Sequence, residues 1–160
     1  MIDTKNIQIE RTFNAAIDLI WALWTEPKHF ANWYGPTGAK IPRADMDVHI
    51  GGHRSITMEV DTPGGPMSIF FVGEYLEIDP KTRLVYSERM ADAEGNPMTA
   101  EQMGMPADAP IQTTIVVELT DLGERTNMVM THIGVPSDSP GAQGWGMALD
   151  KLEALVADAA

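Results

Sequence analysis

The run SPGAQGWGMALDKLEALV (residues 139–156) decides the architecture, because the hydrophobic spacing of the chain changes there. Trp145, Ala148, Leu149, Leu152, Leu155 and Val156 recur at steps of three and four, the single apolar stripe of an amphipathic helix. Ser139 followed by Pro140 has the form of a capping residue with proline in the first turn. Gly141, Gly144 and Gly146 fall in the opening turns, where a glycine costs about 1 kcal/mol relative to alanine. Their presence predicts either a close backbone approach or space left for something else.

Upstream of this helix the period is two. In residues 111–119, Ile111, Thr113, Ile115, Val117 and Leu119 share one side while Gln112, Thr114 and Glu118 share the other, with Val116 the exception. Further extended segments are predicted at 43–49, 52–60, 66–78, 82–89 and 125–133, joined by the turn sequences TPGGP (62–66), DPKT (79–82) and DLGE (121–124). The chain opens with a strand over 5–13. A helix follows in which Ile17, Ile20, Trp21 and Trp24 recur, with Asn14 as its expected cap. Pro27 starts a second short helix ending near Trp33, before a turn at Gly35-Pro36. Two short helices, a series of antiparallel strands and a long final helix make an α+β protein, with the last helix laid against a curved sheet.

Composition narrows the function. A chain of 160 residues with no internal repeat or linker is most simply one domain, 1–160. No apolar run approaches the roughly 18 residues of a membrane-spanning helix, and MIDTKNIQIERTF lacks the pattern of a signal peptide. The absence of cysteine removes disulfide, thiolate-metal and thiol-nucleophile chemistry and fits a cytoplasmic location. Twenty-three acidic residues against 11 basic ones give a net charge of -12, which repels nucleic acids and anionic membranes. No G-x-S-x-G elbow occurs, and TPGGP lacks the lysine and strand-to-helix setting of a phosphate loop. His29, His49 and His53 have no metal-site spacing, so neither a metal nor another cofactor is expected.

The segment RMADAEGNPMTAEQMGMPADAP (89–110) has no strand character and exceeds the usual loop length. Thr99 to Gln102 matches a capping box, and Met90, Met98, Met103 and Met105 give adaptable apolar contacts. A lid over a cavity and a passive excursion both fit this composition.

Several blocks together resemble a known family. RTFNAAIDLIWALWTEPKHFANWYGP (11–36), DVHIGG (47–52), GEYLEIDP (73–80) with Arg83 to Tyr86, TNMVMTH (126–132) and GWGMALDKL (144–152) stand in the order found in proteins similar to the activator of heat-shock-protein ATPase. That family belongs to the START-related, helix-grip (SRPBCC) superfamily. The resemblance spans roughly 7–157 and implies a sheet gripping the C-terminal helix with a cavity between them. It departs from the family at the long 89–110 segment and at Arg54, where an aromatic or aliphatic residue is more usual.

Arg54 poses the sharpest question. In HRSITMEV (53–60) it shares its side with Ile56, Met58 and Val60, which puts a cation on the inner face. It is a candidate to hold the anionic head group of a ligand, or to be paired internally, with Glu88 a nearby option beside Tyr86. His132 is the second polar candidate, as a ligand donor, a general acid or base, or a satisfied structural histidine. Trp33, Met58, Phe71, Tyr75, Tyr86, Met130, Trp145 and Leu149 supply the expected apolar wall. The expected function is binding of a small hydrophobic or amphipathic molecule in an internal cavity. The alternatives are a cyclase- or hydrolase-type enzyme in the same cavity, with no catalytic residue assigned, and a co-chaperone-like interaction module. A chaperone partner is not expected, because the co-chaperone carries an extra N-terminal domain for which this chain is too short. The sequence neither requires nor excludes a homodimer.

Overall fold

The structure, a computed structural model, describes residues 6–102, 104, 112–135, 137 and 140–159. Its elements are β1 (Asn6–Phe13), α1 (Ile17–Thr25), α2 (Pro27–Phe30), β2 (Lys40–Met46), β3 (His53–Thr62), β4 (Gly65–Asp79), β5 (Arg83–Ala91), β6 (Gln112–Asp121), β7 (Thr126–Ile133) and α3 (Pro140–Ala159). The strands form one antiparallel sheet in the order β1-β7-β6-β5-β4-β3-β2. Consecutive strands are neighbours except at β1, which crosses to pair with β7, so that Ile7 lies opposite His132. Together with α3 and the two short helices, this is the helix-grip arrangement.

The apolar stripe of α3 is the centre of the core. Trp145, Ala148, Leu149, Leu152 and Val156 are buried and Leu155 packs against them. Burying a large apolar side chain of this kind contributes about 1.5–3 kcal/mol relative to exposure. Inner-face residues of the sheet complete the cluster, including Ile56, Tyr86, Ile115, Val117, Met128 and Met130. Arg11 of β1 fastens the helix from outside the core, donating to Asp150 at 2.7 Å and to the Gly146 carbonyl at 3.3 Å.

Several boundaries differ from expectation; among them, α2 ends at Phe30 rather than near Trp33, and β3 runs on to Thr62. Helix α1 begins at Ile17 with Ala16 as its cap and no side-chain capping bond, rather than at Asn14. The Thr126 hydroxyl donates to the Ala15 carbonyl at 2.8 Å, holding this link extended against the sheet. Strand β2 covers 40–46 rather than 43–49, because residues 47–52 form a turn in which Gly52 N–H donates to the His49 carbonyl at 2.7 Å. A Cβ at Gly52 would lie 1.9 Å from the Asp47 carbonyl oxygen, so only glycine allows that approach. Strand β5 runs on to Ala91, which bridges Pro97. The 92–102 stretch is therefore hydrogen-bonded back onto the strand, with Met98 N–H donating to the Met90 carbonyl at 2.9 Å. The capping box forms reciprocally: Thr99 N–H donates to Gln102 Oε1 at 2.9 Å and Gln102 N–H to Thr99 Oγ1 at 3.2 Å. Met103, Met105 and the expected cap Ser139 lie outside the described residues.

Candidate functional site

Between α3 and the inner face of the sheet lies a pocket of about 280 Å³. Its apolar walls come from Met58 of β3, Phe71 of β4, Trp145 and Ala148 of α3, and the Tyr34–Pro36 turn that follows α2. Aromatic packing sets that turn: Tyr34 lies 4.3 Å from Phe30 and 5.6 Å from Trp145, centroid to centroid, while Trp24 stacks on Trp145 at 6.1 Å. Lys151 of α3 donates to the Pro36 carbonyl at 3.2 Å and ties the turn to the helix. Gly144 also lines the pocket, and a Cβ added there would meet nothing within 4 Å. The glycine therefore leaves space rather than permitting a close approach.

Tyr34, Glu88 and His132 are the titratable groups lining the pocket among the described residues. Glu88 Oε2 accepts a 2.8 Å hydrogen bond from the Tyr34 hydroxyl and lies 3.6 Å from Arg54 Nη1. Behind this carboxylate Arg54 is 1 % exposed, and its guanidinium carbon sits 3.8 Å over the Tyr86 ring, with Tyr75 and Phe30 at 5.8 and 5.4 Å. The inward cation is thus held by one ion pair and a set of aromatic faces. Burial opposes its charge, but the neighbouring tyrosine oxygens and Glu88 outweigh that and hold it protonated, above the ordinary arginine value. Burial, reinforced by Glu88, likewise drives the Tyr34 hydroxyl well above its usual range and keeps it a donor. Arg54 Nε and Nη2 and the Tyr75 and Tyr86 hydroxyls have no hydrogen-bond partner among the described residues, so the polar cluster is only partly satisfied from within.

His132 is bound at both ring nitrogens. Trp145 Nε1–H donates to Nδ1 at 2.9 Å, which assigns the remaining proton to Nε2, 2.8 Å from Thr113 Oγ1. This neutral imidazole joins β7 to α3 beside the pocket. Burial lowers its pKa below the ordinary value, only partly offset by Glu88. The unfolded chain therefore takes up this proton first, so the stability contribution is complete above about pH 6.5 and is lost as pH falls towards the lower native value. Protonation at Nδ1 also removes the acceptor for Trp145. Between pH 7.5 and 5.5, wild-type unfolding midpoints are expected to fall more than those of His132→Gln; parallel decline in the two proteins would contradict this role.

Of the ten residues singled out in the sequence, Met58, Phe71, His132 and Trp145 line the pocket. Arg54, Tyr75 and Tyr86 form the layer behind Glu88, whereas Met130 and Leu149 are fully buried core. Trp33 is spent on structure, its Nε1–H donating to the Leu23 carbonyl at 2.8 Å. Its neighbour Tyr34, absent from the expected set, takes the pocket position. No described residue of the 92–104 stretch lines this pocket; Asp92 to Gly95 instead border a polar depression that also involves Arg43 and His53.

The profile of the family described as Activator of Hsp90 ATPase homolog 1-like protein matches residues 14–157. The chain belongs to that family. Solved structures similar to this member include proteins from Arthrobacter aurescens (TM-score 0.78, 21% identity, covering 99% of this chain and 90% of that one) and Nitrosomonas europaea (0.76, 20%, 99% and 97%). A protein from Chromobacterium violaceum is similar at TM-score 0.75 and 22% identity, covering 95% of this chain and 96% of the other. At these identities the likeness speaks for the fold. A 69-residue stretch is also 36% identical to part of NADH-ubiquinone oxidoreductase chain 1 of Oncorhynchus mykiss, covering 42% of this chain and 21% of that protein. The chain thus spans about a fifth of the length of the curated relative it matches. Among the described residues, no helix of this family member is long and apolar enough to cross a membrane.

Proposed function

We propose that this family member reversibly binds a small amphipathic molecule in the pocket between α3 and the sheet. The observation that carries the reading is the pocket itself: about 280 Å³, walled by Met58, Phe71, Tyr34 and Trp145, with a single carboxylate side chain among its lining residues. A mostly apolar pocket with a few fixed polar groups is the common form of a small-molecule site, and this one lies near the lower end of the usual range of roughly 300–1,000 Å³. Gly144 supports the same reading, since a helix former at that position would improve α3 but occupy the pocket. Binding is favoured over catalysis because both nitrogens of His132 are already engaged within the protein. Native mass spectrometry of gently purified protein, followed by solvent extraction, is expected to reveal a retained amphiphile or, after stripping, stoichiometric uptake of a small apolar probe. A clean mass that takes up no probe would overturn the reading.

A further inference from the structure

Building on that reading, we infer that the ligand is a compact neutral alcohol or phenol whose hydroxyl donates to Glu88. The inference starts from which charge the pocket presents. Arg54 does not line it; Glu88 does, with Arg54 stacked behind the carboxylate on Tyr86. The Tyr34 hydrogen bond and the Arg54 Nη1 ion-pair contact both fall on Oε2. No described residue donates a hydrogen bond to Oε1, although the side chain is only 9% exposed. An acceptor in this position is complemented by a ligand donor, and a bond to a carboxylate is stronger than one between neutral groups.

Charge balance selects among donors. Arg54 and Glu88 already compensate each other inside the core, so a protonated amine would add an unpaired buried cation, while a ligand carboxylate would face Glu88 as a like charge. A hydroxyl supplies the missing donor without a further charge. The aromatic walls Tyr34, Phe71 and Trp145 suit a flat or compact apolar body.

Four probes of similar shape test this by calorimetry at pH 7: 4-propylphenol, 4-propyltoluene, 4-propylbenzoate and 4-propylbenzylamine. The phenol is expected to bind about tenfold or more tightly than the toluene, since one charge-assisted hydrogen bond separates them. The benzoate and the amine are expected to bind more weakly than the phenol. Tightest binding by the benzoate would make Arg54 the head-group residue, and tightest binding by the amine would make the site a cation receptor; either result overturns the inference. Equal binding of phenol and toluene would show that Oε1 is not presented to the ligand. If no probe binds, the binding reading falls together with this one, whereas a wrong order among bound probes removes this one alone. In the charge-neutral double variant Arg54→Met/Glu88→Gln the phenol's advantage over the toluene is expected to shrink several-fold; an unchanged advantage would also overturn the inference.

Discussion

Glu88→Gln is expected to lower folding stability by about 3–5 kcal/mol, the effect of removing one partner from a buried ion pair. Shape and the acceptor for Tyr34 are retained in this variant, so the loss falls on Arg54. That guanidinium is 1 % exposed, and two of its nitrogens have no hydrogen-bond partner among the described residues even in the wild type. Without the Glu88 charge it would depend on the Tyr86, Tyr75 and Phe30 faces alone, which offset a small part of its desolvation. Arg54→Met in the same chain removes the stranded charge and places a flexible thioether against the same rings. The double variant Arg54→Met/Glu88→Gln should therefore return to within about 1 kcal/mol of the wild type, as whole buried pairs are often replaceable by apolar groups. Urea unfolding of wild type, both single variants and the double variant completes the cycle. Additive losses would show that the two residues do not act as a pair.

The architecture was largely legible because its signals are periodic. Residues 145–156 announce a helix by their spacing, and 112–119 a strand by theirs, and each occurs where expected. Boundaries that depend on tertiary bonds were not legible: nothing local in Asn14-Ala15-Ala16 records that Thr126, more than 100 residues away, holds the Ala15 carbonyl. The same division runs through the site. Alternation along 53–60 places Arg54 inward, and alternation along 83–91 puts Glu88 on the side of Tyr86, so the ion pair was within reach as one of two options. Which of the two reaches the pocket was not, because that depends on the depth at which β3 and β5 pass beneath α3. Adjacent aromatics posed a similar difficulty. Trp33 and Tyr34 are both amphipathic aromatics in the sequence, and their acceptors, the Leu23 carbonyl for Trp33 and the Glu88 carboxylate for Tyr34, separate core from pocket. Gly144 carried a readable signal, since a glycine inside an amphipathic helix needs a reason, but space and close approach look the same until the neighbours are placed.

Filling that space gives the second large effect. Gly144→Leu replaces a helix-interior glycine, which favours α3 by roughly 0.8–1 kcal/mol, and its Cβ meets no neighbour within 4 Å. The rest of the side chain extends into a pocket of about 280 Å³ that Gly144 lines, and takes the volume a small ligand needs. The variant is therefore expected to be folded, at least as stable as the wild type, and unable to bind. That combination separates loss of a site from loss of a fold, which substitutions at Glu88 or Trp145 cannot do. The decisive measurement is a calorimetric titration of stripped wild-type and Gly144→Leu protein with the same small apolar probe, alongside their unfolding midpoints. Saturable binding by the wild type, lost at least tenfold in a variant of equal or higher stability, is the predicted result. Equal binding by the two proteins would place the ligand elsewhere and contradict the account.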